Sequence, residues 1–165
     1  MLLADDHRAV NEILQQLLQA LDDKDVQATH AKLDLLWARL AVHIRAEHLH
    51  LFAAVVSKHP EAASVIETLR ADHDFFMREL AHALGLVRDG AEATAVSPTI
   101  REVEKRLISH NELEETQVYR WASMILTESE QIELAIRIHN ELEKRPPRFS
   151  PESWKNADET DASVL

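Results

Sequence analysis

The stretch that decides the fold is HIRAEHLHLF, residues 43–52. It continues a stripe of Leu33, Leu36 and Leu40 at helical spacing, and into that stripe it sets His43 and Glu47 before Leu51 resumes it. An imidazole and a carboxylate four residues apart share one helix face. A core-facing stripe interrupted in this way needs a reason, because unpartnered polar groups cost several kcal/mol when buried.

Working outward, the same pattern recurs. A first helix over about Asp5 to Leu21 carries His7, Val10, Leu14, Leu17 and Leu21 on one face. The polar run Asp22-Asp23-Lys24-Asp25 breaks it, with Thr29 the expected cap of a second helix over about His30 to Val56. After His59-Pro60 a third helix to about Arg88 has His73 in phase with Leu69, Phe76, Leu80 and Val87. Asp89-Gly90 ends it, and a loop up to Ser97-Pro98 leads to a fourth helix, about Pro98 to Ile125, with His110 and Glu114 among Ile100, Val103, Leu107, Val118 and Trp121. Thr127 and Glu130 have capping-box spacing and start a shorter fifth helix to about Lys144. From Arg145 periodicity is lost and Pro146-Pro147 forbids a helix. The expectation is an all-α, antiparallel up-down-up-down four-helix bundle over residues 1–125, an additional helix over 126–144 and an irregular tail over 145–165.

Composition agrees. With 165 residues, two glycines and five prolines, the chain suits one helical domain. A net charge of −11 and no Lys/Arg stripe exclude a phosphate-tracking surface, so no nucleic-acid partner is expected. Without cysteine there are no disulfides, thiolate metal sites or cysteine nucleophiles. Asp5 and Asp6 interrupt the apolar start that a secretory signal would need, and no window of about 18 apolar residues exists, which predicts a cytoplasmic protein with no membrane contact. Ten histidines are the compositional oddity.

Spacing alone is weak evidence. His43/Glu47, His110/Glu114 and His139/Glu143 all fit His-x-x-x-Glu, and the third lies on the fifth helix, outside the four-helix alignment. Height separates them. At 1.5 Å per residue, His7 and His43 each lie about 18 residues from the first loop, Glu47 and His73 about 13 from the second, and His73 and Glu114 about 20 from the third. All four helices therefore meet at one level. Four histidines and two glutamates converging there need either a cation or a dense hydrogen-bonded network. A diiron pair meets the first option, with His7 and His43 on one ion, His73 and His110 on the other, and Glu47 and Glu114 bridging; manganese or zinc also suits nitrogen and oxygen donors. His50, one turn from Glu47, is a further candidate, as an added ligand or a partner to one. His48 points off the seam toward the surface, and His30, His59 and His82 fall at helix ends or off the apolar faces.

These residues resemble the hemerythrin-like family: a first-helix His (His7), a second-helix His-x-x-x-Glu followed by Leu-Phe (HIRAEHLHLF), a third-helix His (His73) and a fourth-helix His-x-x-x-Glu (HNELEETQVY, 110–119). The resemblance covers about residues 1 to 122. It implies a non-haem diiron centre. The oxygen-carrying members have one more third-helix His, where this chain has Met77, so the pattern resembles members that sense iron, oxygen or nitric oxide by binding O2 or NO. Oxidase or peroxidase turnover, with peroxide as ligand, is an alternative, as are ferritin-like iron handling through Glu47/His50 and Glu79/His82 and a metal-free helical interaction module. A homodimer through exposed helix faces stays open.

Overall fold

The structure, a computed structural model, describes residues 2–144; the expected tail lies outside the described residues. The elements are α1 (Leu2–Asp22), α2 (Val26–Ala46), a π-helical turn (Glu47–Phe52), α3 (Ala53–Lys58), a 3-10 turn (Pro60–Ala62), α4 (Ala63–Arg88), α5 (Ala93–Leu113), a second π-helical turn (Glu114–Val118), α6 (Tyr119–Ile125) and α7 (Glu128–Leu142). No strand occurs among the described residues. The chain folds as a helical bundle in which α1 packs on α2 and α5, and α4 packs on the same two helices. No helix among the described residues is long and apolar enough to cross a membrane.

Local chemistry sets the helix ends. At the end of α1, Lys24 takes the left-handed conformation with φ 56°, and the Lys24 and Asp25 N–H groups close back on the Leu21 and Ala20 carbonyls. The first correction to the sequence reading follows, since the cap of α2 is Asp25, whose carboxylate accepts the Ala28 N–H at 2.9 Å, while Thr29 is buried within the helix. Gly90, with φ 78°, ends α4 by the same device. A second correction is the start of α5, which begins at Ala93 and not at Pro98. Pro98 cannot donate to the Thr94 carbonyl, yet the helix extends back past it because Val96 is drawn into the core, 1% exposed. The Thr127/Glu130 capping box of α7 is present in both directions.

Two apolar clusters fill the bundle. One contains Leu14, Leu17, Leu33, Leu40, Phe76 and Leu107 among others, and the second includes Leu3, Leu51, Phe52, Leu69, Val118 and Ile138. Between them lies a layer of buried polar side chains. On the outside, α7 packs against α2 and the first π turn, and its buried Glu141 meets Arg45, Lys144 at 2.8 Å and His50 at 3.6 Å.

Candidate metal centre

His7, His43, Glu47, His73, His110 and Glu114 all reach this layer, and none is more than 6% exposed. They form two overlapping sets of donor atoms, each within 4.8 Å of one another: His7, His43, Glu47 and Glu114 in one, Glu47, His73, His110 and Glu114 in the second. The two glutamates are common to both. The imidazoles pair across helices, with ring centroids 4.9 Å apart for His7 and His43 and 4.7 Å for His73 and His110.

The inward-facing atoms are consistent. His43 Nε2 is 2.8 Å from Glu47 Oε1, His7 Nε2 is 3.3 Å from Glu114 Oε2, His73 Nε2 is 3.3 Å from Glu47 Oε2, and His110 Nε2 is 3.6 Å from Glu114 Oε2. The Tyr119 hydroxyl stands beside them, within 3.5 Å of His7 Nε2, Glu47 Oε1 and Glu114 Oε2. Two carboxylate oxygens, Glu47 Oε2 and Glu114 Oε1, are fully buried yet have no hydrogen-bond partner. Such orphans are expensive in an apolar interior. A cation between the imidazoles satisfies both, so the residues present fit a pair of metal ions with nitrogen and oxygen ligands.

The sequence reading missed the outer partners. The Nδ1 atom of His43 lies 2.7 Å from Asp6 Oδ2, that of His110 lies 3.3 Å from Asp72 Oδ2, and that of His7 lies 2.8 Å from Glu115 Oε1. Each aspartate is also gripped by an arginine one turn before the histidine: Arg39 on Asp6, and Arg106 on Asp72 at 2.7 Å. A signal for them exists, because Leu-x-x-Asp-His followed by Arg-Leu-x-x-His-x-x-x-Glu occurs twice, at Leu3–His7 with Arg39–Glu47 and at Leu69–His73 with Arg106–Glu114. Both π turns begin at the glutamate that closes a repeat.

His48 is the correction at the site. It is buried, its Nε2 lying 2.9 Å from His73 Nδ1 and its Nδ1 2.9 Å from Arg70 Nη1. The wide turn that starts at Glu47 shifts the phase of the residues after it, which regular α-helical spacing does not anticipate. His50 joins neither donor set and faces Glu141 instead. His139, Glu143 and His82 are exposed, and Glu79 is half-buried beside Arg78; none joins either set. His30 lies beside Asp34, His59 beside Glu61 and Trp121, and Met77 is wholly buried in the core.

Charges in the layer are strongly coupled. Burial opposes protonation of His43, but the Glu47 charge and the Asp6 hydrogen bond overcome it and hold the imidazole up at about 10. His7 is likewise raised, with burial opposed by the Glu114 hydrogen bond. His73 goes the other way: burial, then the neighbouring His110 and His48, push it well below its usual value. Burial and the Glu47 charge raise Glu114. For Asp6, burial is outweighed by the hydrogen bond and charge of His43 and by Arg39, so its carboxyl is lowered.

Fold and site together define a helical bundle with a buried His/Glu cluster suited to cations. The chain belongs to the hemerythrin HHE cation binding domain family, whose model matches residues 2–122. No curated protein and no solved structure matches it.

Proposed function

We propose that the chain holds two iron ions, one on His7 and His43 and one on His73 and His110, bridged by Glu47 and Glu114, and that it binds O2 or NO there as a sensor. The observation that carries this reading is the pair of donor sets sharing two glutamates, each with one buried oxygen that lacks a hydrogen-bond partner. It takes α1, α2, α4 and α5 as an antiparallel up-down-up-down bundle. The short connections between α1 and α2 and between α4 and α5, with each pair packed together, support that arrangement.

When bound, the ion pair supplies open coordination positions for a diatomic ligand and a change of oxidation state. The protein's own groups do the rest. Asp6, Asp72 and Glu115 orient three imidazoles from behind, the apolar clusters keep bulk water from the layer, and Tyr119 offers one O–H beside His7. A cavity of about 470 Å³ between α6 and α7, lined by Tyr119, Ala122, Leu134 and Ile138 among others, supports entry of a small apolar molecule from that side. Peroxide turnover is the second reading, favoured by the Tyr119 hydroxyl as a proton source beside the ligand face.

The test is metal content per chain in protein purified without added metal, with absorption spectra in air and after anaerobic reduction. About two irons per chain, with charge-transfer bands in air that bleach on reduction and shift with NO, is the expected result for such a carboxylate-bridged centre. A stable, metal-free protein that refuses reconstitution would overturn the proposal and leave a buried polar network. Steady consumption of added peroxide would favour the second reading.

A further inference from the structure

Away from the His/Glu layer, the cavity of about 470 Å³ between α6 and α7 has a floor of buried apolar side chains, Ala122, Leu126, Leu134 and Ile138, and an exposed rim of Arg120, Ser123, Gln131 and Ala135. That volume falls in the range of small-molecule sites. One wall comes from α7, which lies beyond residue 122, where the family match ends.

The neutral polar groups of the lining are largely engaged. Gln131 Nε2 donates to the Ser123 carbonyl at 3.2 Å and to the Leu126 carbonyl at 2.9 Å, which closes the cavity at the turn between the two helices. Ser123 Oγ donates to the Arg120 carbonyl at 2.7 Å, and the Tyr119 hydroxyl is turned toward His7, Glu47 and Glu114. Arg120 is the one charged residue of the lining, and its guanidinium has no carboxylate partner among the described residues. That isolation stands out in a chain whose 29 acidic side chains outnumber 18 basic ones.

Other cavities carry no such bias. A cavity of about 360 Å³ where α1 meets α2 has Lys24 and Glu92 together in its lining. One of about 210 Å³ between α3 and α7 is lined by Lys58 with Glu130 and by Arg137 with Glu133, each an ion pair. Only the α6–α7 cavity joins an apolar floor to a single sign of charge among these three.

Its length follows from the helices. From Tyr119 to Leu126 on one side and from Gln131 to Ile138 on the other, seven steps of helix make a trough about 10 Å long, the reach of an alkyl chain of about eight carbons. Arg120 stands at the end away from Leu126 and the closed turn.

We propose that this cavity binds a free alkyl monocarboxylate of medium length, with its chain on the floor between Leu126 and Ile138 and its carboxylate on the Arg120 guanidinium. Burial of methylenes supplies the affinity, and the guanidinium, whose planar fork matches a carboxylate, selects the sign of the headgroup. Such a site needs no ion in the His/Glu layer.

The experiment is calorimetric titration of the whole metal-free chain with sodium hexanoate, octanoate and dodecanoate, each below its micelle-forming concentration. Affinity should rise about fourfold per methylene from hexanoate to octanoate, the effect of burying one CH₂, and level off at dodecanoate, whose chain outruns the floor. Arg120→Gln should weaken octanoate about tenfold, the loss of a charge-assisted bond, and octyltrimethylammonium should bind the native protein no better than octanoate binds that variant. Ala135→Trp, which fills the cavity from the exposed side of α7, should abolish binding with the melting temperature unchanged, and serves if Arg120→Gln disturbs the fold. No binding of octanoate, equal affinity for octyltrimethylammonium, or binding that ignores both Arg120→Gln and Ala135→Trp would overturn the proposal.

Discussion

The Tyr119 hydroxyl lies 3.1 Å from His7 Nε2, at the edge of the candidate centre where the cavity beneath α7 ends. Burial, and then the charges of Glu114 and Glu47, raise the phenol above its ordinary range, so it stays a neutral O–H with one proton to give. Tyr119→Phe removes that proton and little volume. Iron content should stay at the native level, while NO should leave the reduced protein about tenfold faster, the loss of one hydrogen bond of about 1.4 kcal/mol. Stopped-flow release of NO checks this; an unchanged rate would mean that the hydroxyl does not donate to the bound ligand.

Asp6 and Asp72 hold equivalent places in the two copies of the repeat, each behind an imidazole. Asp6→Asn and Asp72→Asn keep the shape but weaken the charge-assisted bond that fixes each Nδ1–H. Each should lower metal affinity about 10- to 100-fold, measured by competition with a chelator. Asp6→Asn should also lower the melting temperature more, because both changes take a charged partner from an arginine but the Asp6 side chain is the more deeply buried, 1% against 12% exposed.

Much of the buried His/Glu cluster was legible in the sequence, for a geometric reason. Regular helices carry residues at fixed height and phase, so counting from the loops was enough to bring His7, His43, His73 and Glu114 to one level. Legibility failed where the helix is not regular or where tertiary packing overrides a local signal. The π turn at Glu47 brought His48 inside, and burial of Val96 carried α5 back beyond Pro98. Asp6 and Asp72 were hidden differently: an aspartate beside a candidate ligand in sequence serves the imidazole of another helix, and only the repeated Asp-His and Arg-x-x-x-His pairs hint at it.

Lys24 offers a test of the turn between α1 and α2 that does not touch the centre. It adopts φ 56° with an exposed side chain, a conformation that is costly for any residue with a Cβ and free for glycine. Lys24→Gly should therefore raise the unfolding free energy by about 0.5 to 1 kcal/mol, even after the added freedom of the unfolded chain is counted. Urea unfolding of the metal-free protein is the measurement, and a lower midpoint would show that Lys24 contributes contacts outweighing its backbone strain.

The last prediction concerns pH. His43 is raised from its unfolded value near 6.5 to about 10 in the metal-free protein. A group raised on folding contributes stability that is fully present below the unfolded value and is lost as pH rises through the folded one. Metal-free protein should thus lose stability progressively between about pH 7 and pH 10. Cation binding replaces the proton on His43, so the loaded protein should show a much flatter profile over that window, while its metal affinity should weaken toward acid as proton and ion compete for the same nitrogen. Thermal midpoints of both forms across the window, with His43→Gln as the control that flattens the metal-free profile, decide the matter. A metal-free protein whose midpoint rises from pH 7 to pH 10 would mean that His43 is neutral in the fold and that Glu47 and Asp6 are balanced by other groups.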